Sequence, residues 1–265
     1  WLVTLMRELG WSVKVATSNK RALARGEERC YAFDACAPVK VAHGLVNQSG
    51  QTLFLPKILT LQASQDLSGS TCSMEQAIPE MVSSALTARD ISNSVISPIL
   101  SLGDGYNSKL LKQQLQDALP QLAPPGSSIS NKALKLAMNK AQAAQSDYER
   151  ELIAIGEQTL DYASKQQLAT VVICGQLHVI HETAINADIP RLLRENGVMA
   201  LPVDCFPVSA HTPQMGRIEW AEANRSLRAA HTAREMGNVY PLLLNSFGCG
   251  PASFVDSIFA YLMEG

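Results

Sequence analysis

Two of the six cysteines lie in local sequences that favour chemistry over core burial. Cys36 stands in Asp34-Ala-Cys36-Ala-Pro-Val-Lys40, and Cys249 stands between two glycines in Phe247-Gly-Cys249-Gly-Pro-Ala. Glycine offers no side-chain contacts and lets the backbone turn tightly, so a thiol between two glycines is poorly explained as a core residue. These sulfurs are therefore candidates to bind a metal or to attack an electrophile.

Cys249 is predicted to lie in a turn between a strand and a helix. Residues 239–245 form an apolar run typical of a buried strand, and residues 253–264 carry apolar side chains at helical spacing. Pro251 suits the first helical position and Gly250 suits the cap. Unpaired N–H groups at a helix N-terminus lower a thiol's pKa and favour the thiolate. The alternative is a buried cysteine in a tight turn.

Composition indicates a globular protein with a sizeable core. The chain has 265 residues, of which 46% are hydrophobic and 17% charged, and this length predicts two domains. A formal net charge of −2 gives no electrostatic indication of nucleic-acid binding. We expect no membrane span and no secretory signal. Six scattered cysteines do not form a disulfide framework, so a reducing cytoplasm is the predicted compartment.

Helix-like and strand-like segments alternate, which predicts an α/β fold. The strand candidates are short apolar runs, typical of strands covered on both faces; they are residues 11–16, 52–56, 95–102, 170–175, 198–203 and 239–247. We expect two Rossmann-like (flavodoxin-like) parallel-sheet lobes joined by a long helical segment. Because position 1 is Trp and residues 1–9 already have a helical pattern, the chain is expected to be a fragment of a longer protein.

The Pro/Gly/Ser-rich residues 119–130 are the predicted domain boundary. Residues 131–165 contain no proline and predict one long helix, or two joined near Gly156. The predicted parts are a first α/β lobe with Cys36 and Cys72, a linker with a helical connector, and a second α/β lobe with Cys249; they span residues 1–122, 123–166 and 167–265.

Cys36, Cys72 and Cys249 share a predicted position at the junction between a loop and a helix. Cys72 precedes a helix expected to reach about residue 86, with Ser70 or Thr71 as its N-cap. In parallel α/β folds, the junctions that follow strands gather at one edge of the sheet. The other three cysteines differ. Cys174 and Cys205 end or follow buried runs and are expected in the core, and Cys30 lies in a charged surface stretch.

Four blocks of the sequence resemble those of a known family. They are Cys36-Ala-Pro-Val-Lys40-Val-Ala-His43-Gly44, the downstream Cys72, Asn186-Ala-Asp-Ile-Pro190 and Phe247-Gly-Cys249-Gly-Pro-Ala-Ser-Phe254. In order and over nearly the whole chain, they resemble the 2-hydroxyacyl-CoA dehydratase and double-cubane iron–sulfur superfamily. The most similar branch is the dehydratase-like domain associated with acyl-CoA dehydratase activases.

The resemblance implies a cofactor, a donor and a substrate class. It implies a 4Fe-4S cluster at the lobe interface, held by Cys36, Cys72 and Cys249, with one iron open or bridged. The implied electron donor is an ATP-dependent activase domain or protein, and the implied substrate is a CoA thioester or another small molecule. The implied activity is that of a dehydratase or a low-potential reductase component, in a homo- or hetero-oligomer. The candidates for the edge of the site are Lys40, His43, His178, Asn186, Gly248 and Gly250.

The sequence departs from the family pattern at two places. The family's Gly-Arg-Pro-Tyr is Gly175-Gln176-Leu177-His178 here, and the aspartate after Cys-Gly-Pro is Ala252. A missing arginine removes a bidentate donor for phosphate or carboxylate. Substrate binding like that of the characterised dehydratases is therefore not transferred to this chain.

Two other classes of protein remain open on the sequence. Cys36, Cys72 and Cys249 with His43 could form a structural Cys3His zinc site, although close cysteine pairs are absent. The chain could instead be a metal-free nucleotide- or CoA-binding module. Neither a Gly-x-Gly-x-x-Gly after a strand nor a Walker A motif supports that alternative.

Overall fold

The computed structural model describes residues 1–32, 34–46, 52–64, 67–246 and 248–264. The helices of this part are α1 (Leu2–Glu8), α2 (Lys20–Arg29), α3 (Ala37–Leu45), α4 (Ser73–Thr87), α5 (Lys109–Leu122), α6 (Asn131–Gln166), α7 (Leu177–Ile180), α8 (Ile189–Glu195), α9 (Ala221–Arg234) and α10 (Gly250–Glu264). The strands are β1 (Thr52–Phe54), β2 (Lys57–Ser64), β3 (Leu67–Ser70), β4 (Ser94–Ile96), β5 (Ile99–Ser101), β6 (Thr170–Cys174), β7 (Met199–Pro202) and β8 (Val239–Leu243).

The chain divides into two compact units. Unit 1 comprises Trp1–Phe33, Val39–Gln62 and Ser70–Glu149, and unit 2 comprises Asp34–Pro38, Ala63–Gly69 and Arg150–Gly265. Cys72 therefore belongs to unit 1, whereas Cys36 and Cys249 both belong to unit 2.

Parallel pairing joins the first strands of the chain. β1 pairs with β4 and β2 pairs with β5, and the other neighbour of β2 is β3. Lys57 lies opposite Ile99, and the same register runs through β1 and β4, which sets Pro56 opposite Pro98. Because proline has no N–H to donate, the ladder is interrupted at these two residues.

The main core of unit 1 collects apolar side chains from α1, α5, the first part of α6 and the β4–β5 region. Trp11 and Val13 contact this core, and the Trp11 indole N–H donates to the Leu122 carbonyl over 2.7 Å. Residues 11–16 nevertheless form no regular element, so the strand prediction is wrong there. Their apolar alternation reflects burial of an irregular segment against the core.

Unit 2 contains a three-stranded parallel sheet with the order β7-β6-β8. Its central strand, β6, buries Val172 and Ile173 against small side chains of α9, among them Ala229, Ala230 and Ala233. The strands predicted at residues 170–175, 198–203 and 239–247 are confirmed, with β8 ending at Leu243. Phe247, at the end of the last predicted range, lies outside the described residues.

The predicted fold class is confirmed as a mixed α/β fold with parallel sheets, consistent with a Rossmann-like arrangement. The long helix predicted for residues 131–165 is also confirmed, because α6 runs without interruption. Among the described helices, none combines the length and the apolar character needed to cross a membrane.

Candidate functional site

The carboxyl ends of β6 and β8 meet at one edge of the unit 2 sheet. Cys174 ends β6 opposite Leu243, and the Leu244 N–H extends the pairing by donating to the Cys174 carbonyl over 2.8 Å. The chain passes from β6 to β7 on one side and then crosses back to β8 on the other. At such a reversal the connections open a crevice beyond the strand ends, where parallel α/β folds bind ligands.

Cys249 lies at this edge with its sulfur against an amide of the neighbouring loop. The Cys249 thiol donates to the side-chain oxygen Oε1 of Gln176 over 3.4 Å. The residue is 6% exposed, and its backbone N–H donates to the Ser246 carbonyl over 3.1 Å. α10 begins at the next residue, so the predicted turn between strand and helix is confirmed.

Two contacts with α9 hold the loop that carries Gln176. The Gly175 N–H donates to the Ser226 hydroxyl over 3.0 Å, and the Leu177 N–H donates to the Glu222 carboxylate over 2.9 Å. A Cβ at Gly175, whose φ is +145°, would stand 2.4 Å from the Leu244 carbonyl oxygen. Only glycine fits there, and its close approach brings the loops after β6 and β8 together.

The segment Asp34–Pro38 reaches the same turn of unit 2. A Cβ at Gly248 would stand 3.6 Å from the Asp34 carbonyl oxygen, which is van der Waals contact. Cys36 lies two residues after Asp34 and directly precedes α3. The structure thus brings the backbone near Cys36 against the residue that precedes Cys249.

Cys72 occupies the N-cap position of α4 in unit 1. Its backbone N–H donates to the Glu75 carboxylate over 3.3 Å. The preceding Thr71 is tied to β2 through its hydroxyl, which donates to the Ile58 carbonyl over 2.5 Å, and Gln76 donates to the Thr71 hydroxyl over 3.1 Å. The predicted cap, Ser70 or Thr71, is wrong by one or two residues because Thr71 is engaged with the strand.

Cys36, Cys72 and Cys249 each stand immediately before the first residue of an α-helix. A helix N-terminus presents unpaired N–H groups and the positive end of the helix dipole, and both attract negatively charged groups. The prediction that these residues lie at junctions between loops and helices is confirmed. Their assignment as metal ligands stays a prediction.

The other three cysteines have different surroundings. Cys174 is fully buried in the core of unit 2, and desolvation raises the pKa of its thiol to about 12. Desolvation, with a smaller contribution from the Asp204 charge, raises the pKa of Cys205 to about 11. Cys30 follows the last residue of α2, and its thiol donates to the Ala32 carbonyl over 3.7 Å. Cys174 and Cys205 are therefore neutral thiols at pH 7.

Two of the predicted edge residues have structural roles. His43 is 4% exposed in α3, and its Nδ1 lies 2.9 Å from the Val39 carbonyl of the same helix. Asn186 donates to the Ile180 carbonyl over 2.8 Å and accepts from the Asp188 N–H over 3.0 Å, so it holds the turn before α8.

The remaining edge candidates are less enclosed. Lys40 is half-buried in α3, and His178 is half-buried in the short helix α7, two residues after Gln176. Gly248 and Gly250 flank Cys249, as the sequence requires, and a Cβ at Gly250 would meet open space.

Sequence comparison identifies the family of the chain. The family model described as CoA enzyme activase uncharacterised domain (DUF2229) matches residues 1–206. The chain belongs to this family. The matched range includes Cys36 and Cys72 and ends before Cys249. No curated protein matches the chain, and no solved structure matches it.

From the sequence, Gln176 was predicted only to stand where the resembled dehydratase superfamily has an arginine, and its contact with Cys249 was not predicted. Ser226 and Glu222, the α9 residues that hold the Gln176 loop, were not predicted either. No local pattern indicates these contacts, because Gln176 and Cys249 are 73 residues apart. The general signal that could have found them is the gathering of loops at the carboxyl ends of parallel strands.

Proposed function

We propose that this member of the CoA enzyme activase domain family is an iron–sulfur redox protein in which Cys36, Cys72 and Cys249 hold a 4Fe-4S cluster at the lobe interface. The observation that carries the proposal is that these three cysteines, and none of the other three, directly precede α-helices. The contact between Gly248 and Asp34 supports the grouping of Cys36 with Cys249.

The donor set fits the group. Thiolates are the usual protein ligands of iron–sulfur clusters, and each of the three cysteines directly precedes an α-helix. Cys72 and Cys249 are 8% and 6% exposed, so bulk water has little access to their sulfurs. Backbone amides near the ligands and burial of the ligands would both influence the reduction potential of a cluster bound by the three residues.

The chain's own residues have three roles in this function. The three cysteines would hold and orient the cluster, the N-termini of α3, α4 and α10 would place their positive dipole ends beside it, and the buried surroundings of Cys72 and Cys249 would exclude water. When bound, the cluster supplies one-electron transfer at low potential. Three thiolate ligands leave one iron for a substrate oxygen, a water or a bridge.

The wider context of the proposal follows from the family. An ATP-dependent activase domain or protein is the electron donor, and a CoA thioester or another small molecule is the electron acceptor. The description of the family as a CoA enzyme activase domain supports this context. The departures at Gln176 and Ala252 leave the substrate class broader than the 2-hydroxyacyl-CoA thioesters.

Anaerobic purification followed by metal analysis and visible absorption tests the proposal. We expect a brown protein with the broad absorption of an iron–sulfur cluster and about four iron atoms per chain. Stoichiometric zinc with no visible absorption would instead indicate the Cys3His alternative, in which His43 is the fourth ligand. A colourless protein that takes up no metal on anaerobic reconstitution would overturn the proposal. The remaining alternative would then be a metal-free nucleotide- or CoA-binding module.

A further inference from the structure

The Gln176 side chain contacts the Cys249 sulfur. Its Oε1 lies 3.4 Å from Cys249 Sγ, at the carboxyl edge of β6 and β8. The loop itself is held by backbone donors, Gly175 N–H to Ser226 and Leu177 N–H to Glu222. The Gln176 amide is therefore not needed for the two hydrogen bonds that fix its loop.

A glutamine amide offers both kinds of hydrogen-bonding group from nearly the same position. Its oxygen accepts from a neutral thiol, which is the contact with Cys249 in the structure. A metal-bound thiolate has no proton to donate, so the oxygen would then face a negatively charged sulfur. Rotation of the amide by half a turn brings its N–H group to that sulfur without moving the backbone.

We propose, on the basis of the proposed function, that Gln176 is a positioning residue that donates its side-chain N–H to the Cys249 sulfur and raises the reduction potential of the cluster. Reduction adds negative charge, and a hydrogen bond to a ligand sulfur stabilises the reduced state more than the oxidised state. Gln176, which stands where the resembled dehydratase superfamily has an arginine, thus raises the potential of this site.

Two substitutions separate the hydrogen bond from the side chain's volume. Gln176→Leu removes the donor at similar size, and Gln176→Glu removes it and adds a negative charge beside the sulfur. We expect midpoint potentials in the order wild type, then Gln176→Leu, then Gln176→Glu, from least to most negative. Iron content should be unchanged in the Leu variant because all three cysteines remain.

Gln166→Glu is the matched control. Gln166 is exposed at the end of α6 and lies near the amino end of β6, whereas Gln176 follows its carboxyl end. The five-residue strand between them spans about 17 Å. That separation exceeds the screening length of about 8 Å at physiological ionic strength. The same charge added at Gln166 should therefore leave the potential unchanged.

Redox titration of the anaerobically purified proteins, monitored by visible absorption and electron paramagnetic resonance, gives the midpoint potentials. The expected order of midpoint potentials, together with an unchanged potential in Gln166→Glu, supports the proposal. A wild-type potential in both Gln176 variants, or an equal shift in Gln166→Glu, would overturn it while leaving the proposed function intact. A wild-type protein that binds no iron would overturn both.

Discussion

At the scale of single residues, Cys174 and Cys205 differ from the proposed ligands in their place in the fold, because both belong to the core of unit 2 and neither directly precedes an α-helix. Desolvation raises the pKa of the two thiols to about 12 and about 11, which keeps both protonated at neutral pH. Both side chains instead fill the core of unit 2. Their role is therefore structural.

Replacing either core cysteine should affect stability and not iron. Cys174→Ala and Cys205→Ala each remove one buried sulfur, which should lower the free energy of unfolding by about 1 to 2 kcal/mol. Iron per chain should match the wild type, and Cys30→Ala should change neither quantity. Iron analysis and urea unfolding measure both effects. Iron loss in the Cys174 or Cys205 variant would indicate a larger cluster assembly that uses these sulfurs.

The ion pair between His181 and Asp204 predicts a pH dependence of stability. The imidazole Nε2 lies 3.0 Å from both carboxylate oxygens, and the hydrogen bond to Asp204 raises the pKa of His181 above its ordinary value of 6.5. The pair therefore stabilises the fold fully below pH 6.5, and this contribution is lost as the pH rises through the folded-state pKa.

Chemical unfolding at pH values between 5.5 and about 9 tests this dependence. Because the His181 side chain is 47% exposed, the loss should be below about 1 kcal/mol. Asp204→Asn should remove most of this pH dependence of stability. Asp188→Asn, at an exposed ion pair with Arg191, should leave the pH dependence in place. An unchanged slope in Asp204→Asn would show that His181 is not the titrating group.

At the scale of secondary structure elements, the sequence predicted the elements whose amino-acid composition favours one conformation. It did not predict the conformation of segments that distant contacts determine. The alanine-rich, proline-free composition correctly indicated α6. The alternation in residues 11–16 was misleading, because Trp11 hydrogen-bonds to Leu122 and no strand pairs with the segment. An alternating apolar pattern indicates that one side of a segment is buried. It does not identify the part of the chain against which that side packs.

Gly156, inside α6, is a second residue whose contact partner the local sequence does not identify. The glycine suggested a joint between two helices, yet the helix is continuous. The glycine is required because a Cβ there would stand 1.7 Å from the Cys205 carbonyl oxygen. The contact partner is 49 residues away, so the reason for the glycine is visible only in the structure.

Gly156→Ala should destabilise the protein despite the better helix propensity of alanine. Propensity favours alanine by about 1 kcal/mol, but the Cys205 backbone would have to move, at a cost that should leave a net loss of about 1 to 3 kcal/mol. Ser146→Ala, at an exposed site of the same helix, should be neutral or slightly stabilising. Urea unfolding compares the two, and equal stability would contradict the close contact with Cys205.

At the scale of the whole molecule, the three cysteines are distributed over both units of the chain. Cys36 and Cys249 belong to unit 2 and Cys72 to unit 1, and the family match covers only the first two of these cysteines in sequence order. The sequence could predict that all three lie at helix N-termini, because caps and turns are local features. It could not predict the contact of the Asp34 segment with Gly248, which joins residues more than 200 positions apart.

Iron content of single cysteine variants tests the central claim most directly. Cys36→Ala, Cys72→Ala and Cys249→Ala should each lose most of the bound iron and the visible absorption of the anaerobically purified protein, because each removes one of three thiolate ligands. Cys30→Ala is the control and should keep about four iron atoms per chain. The account would be contradicted if Cys249→Ala retained the iron content of the wild type.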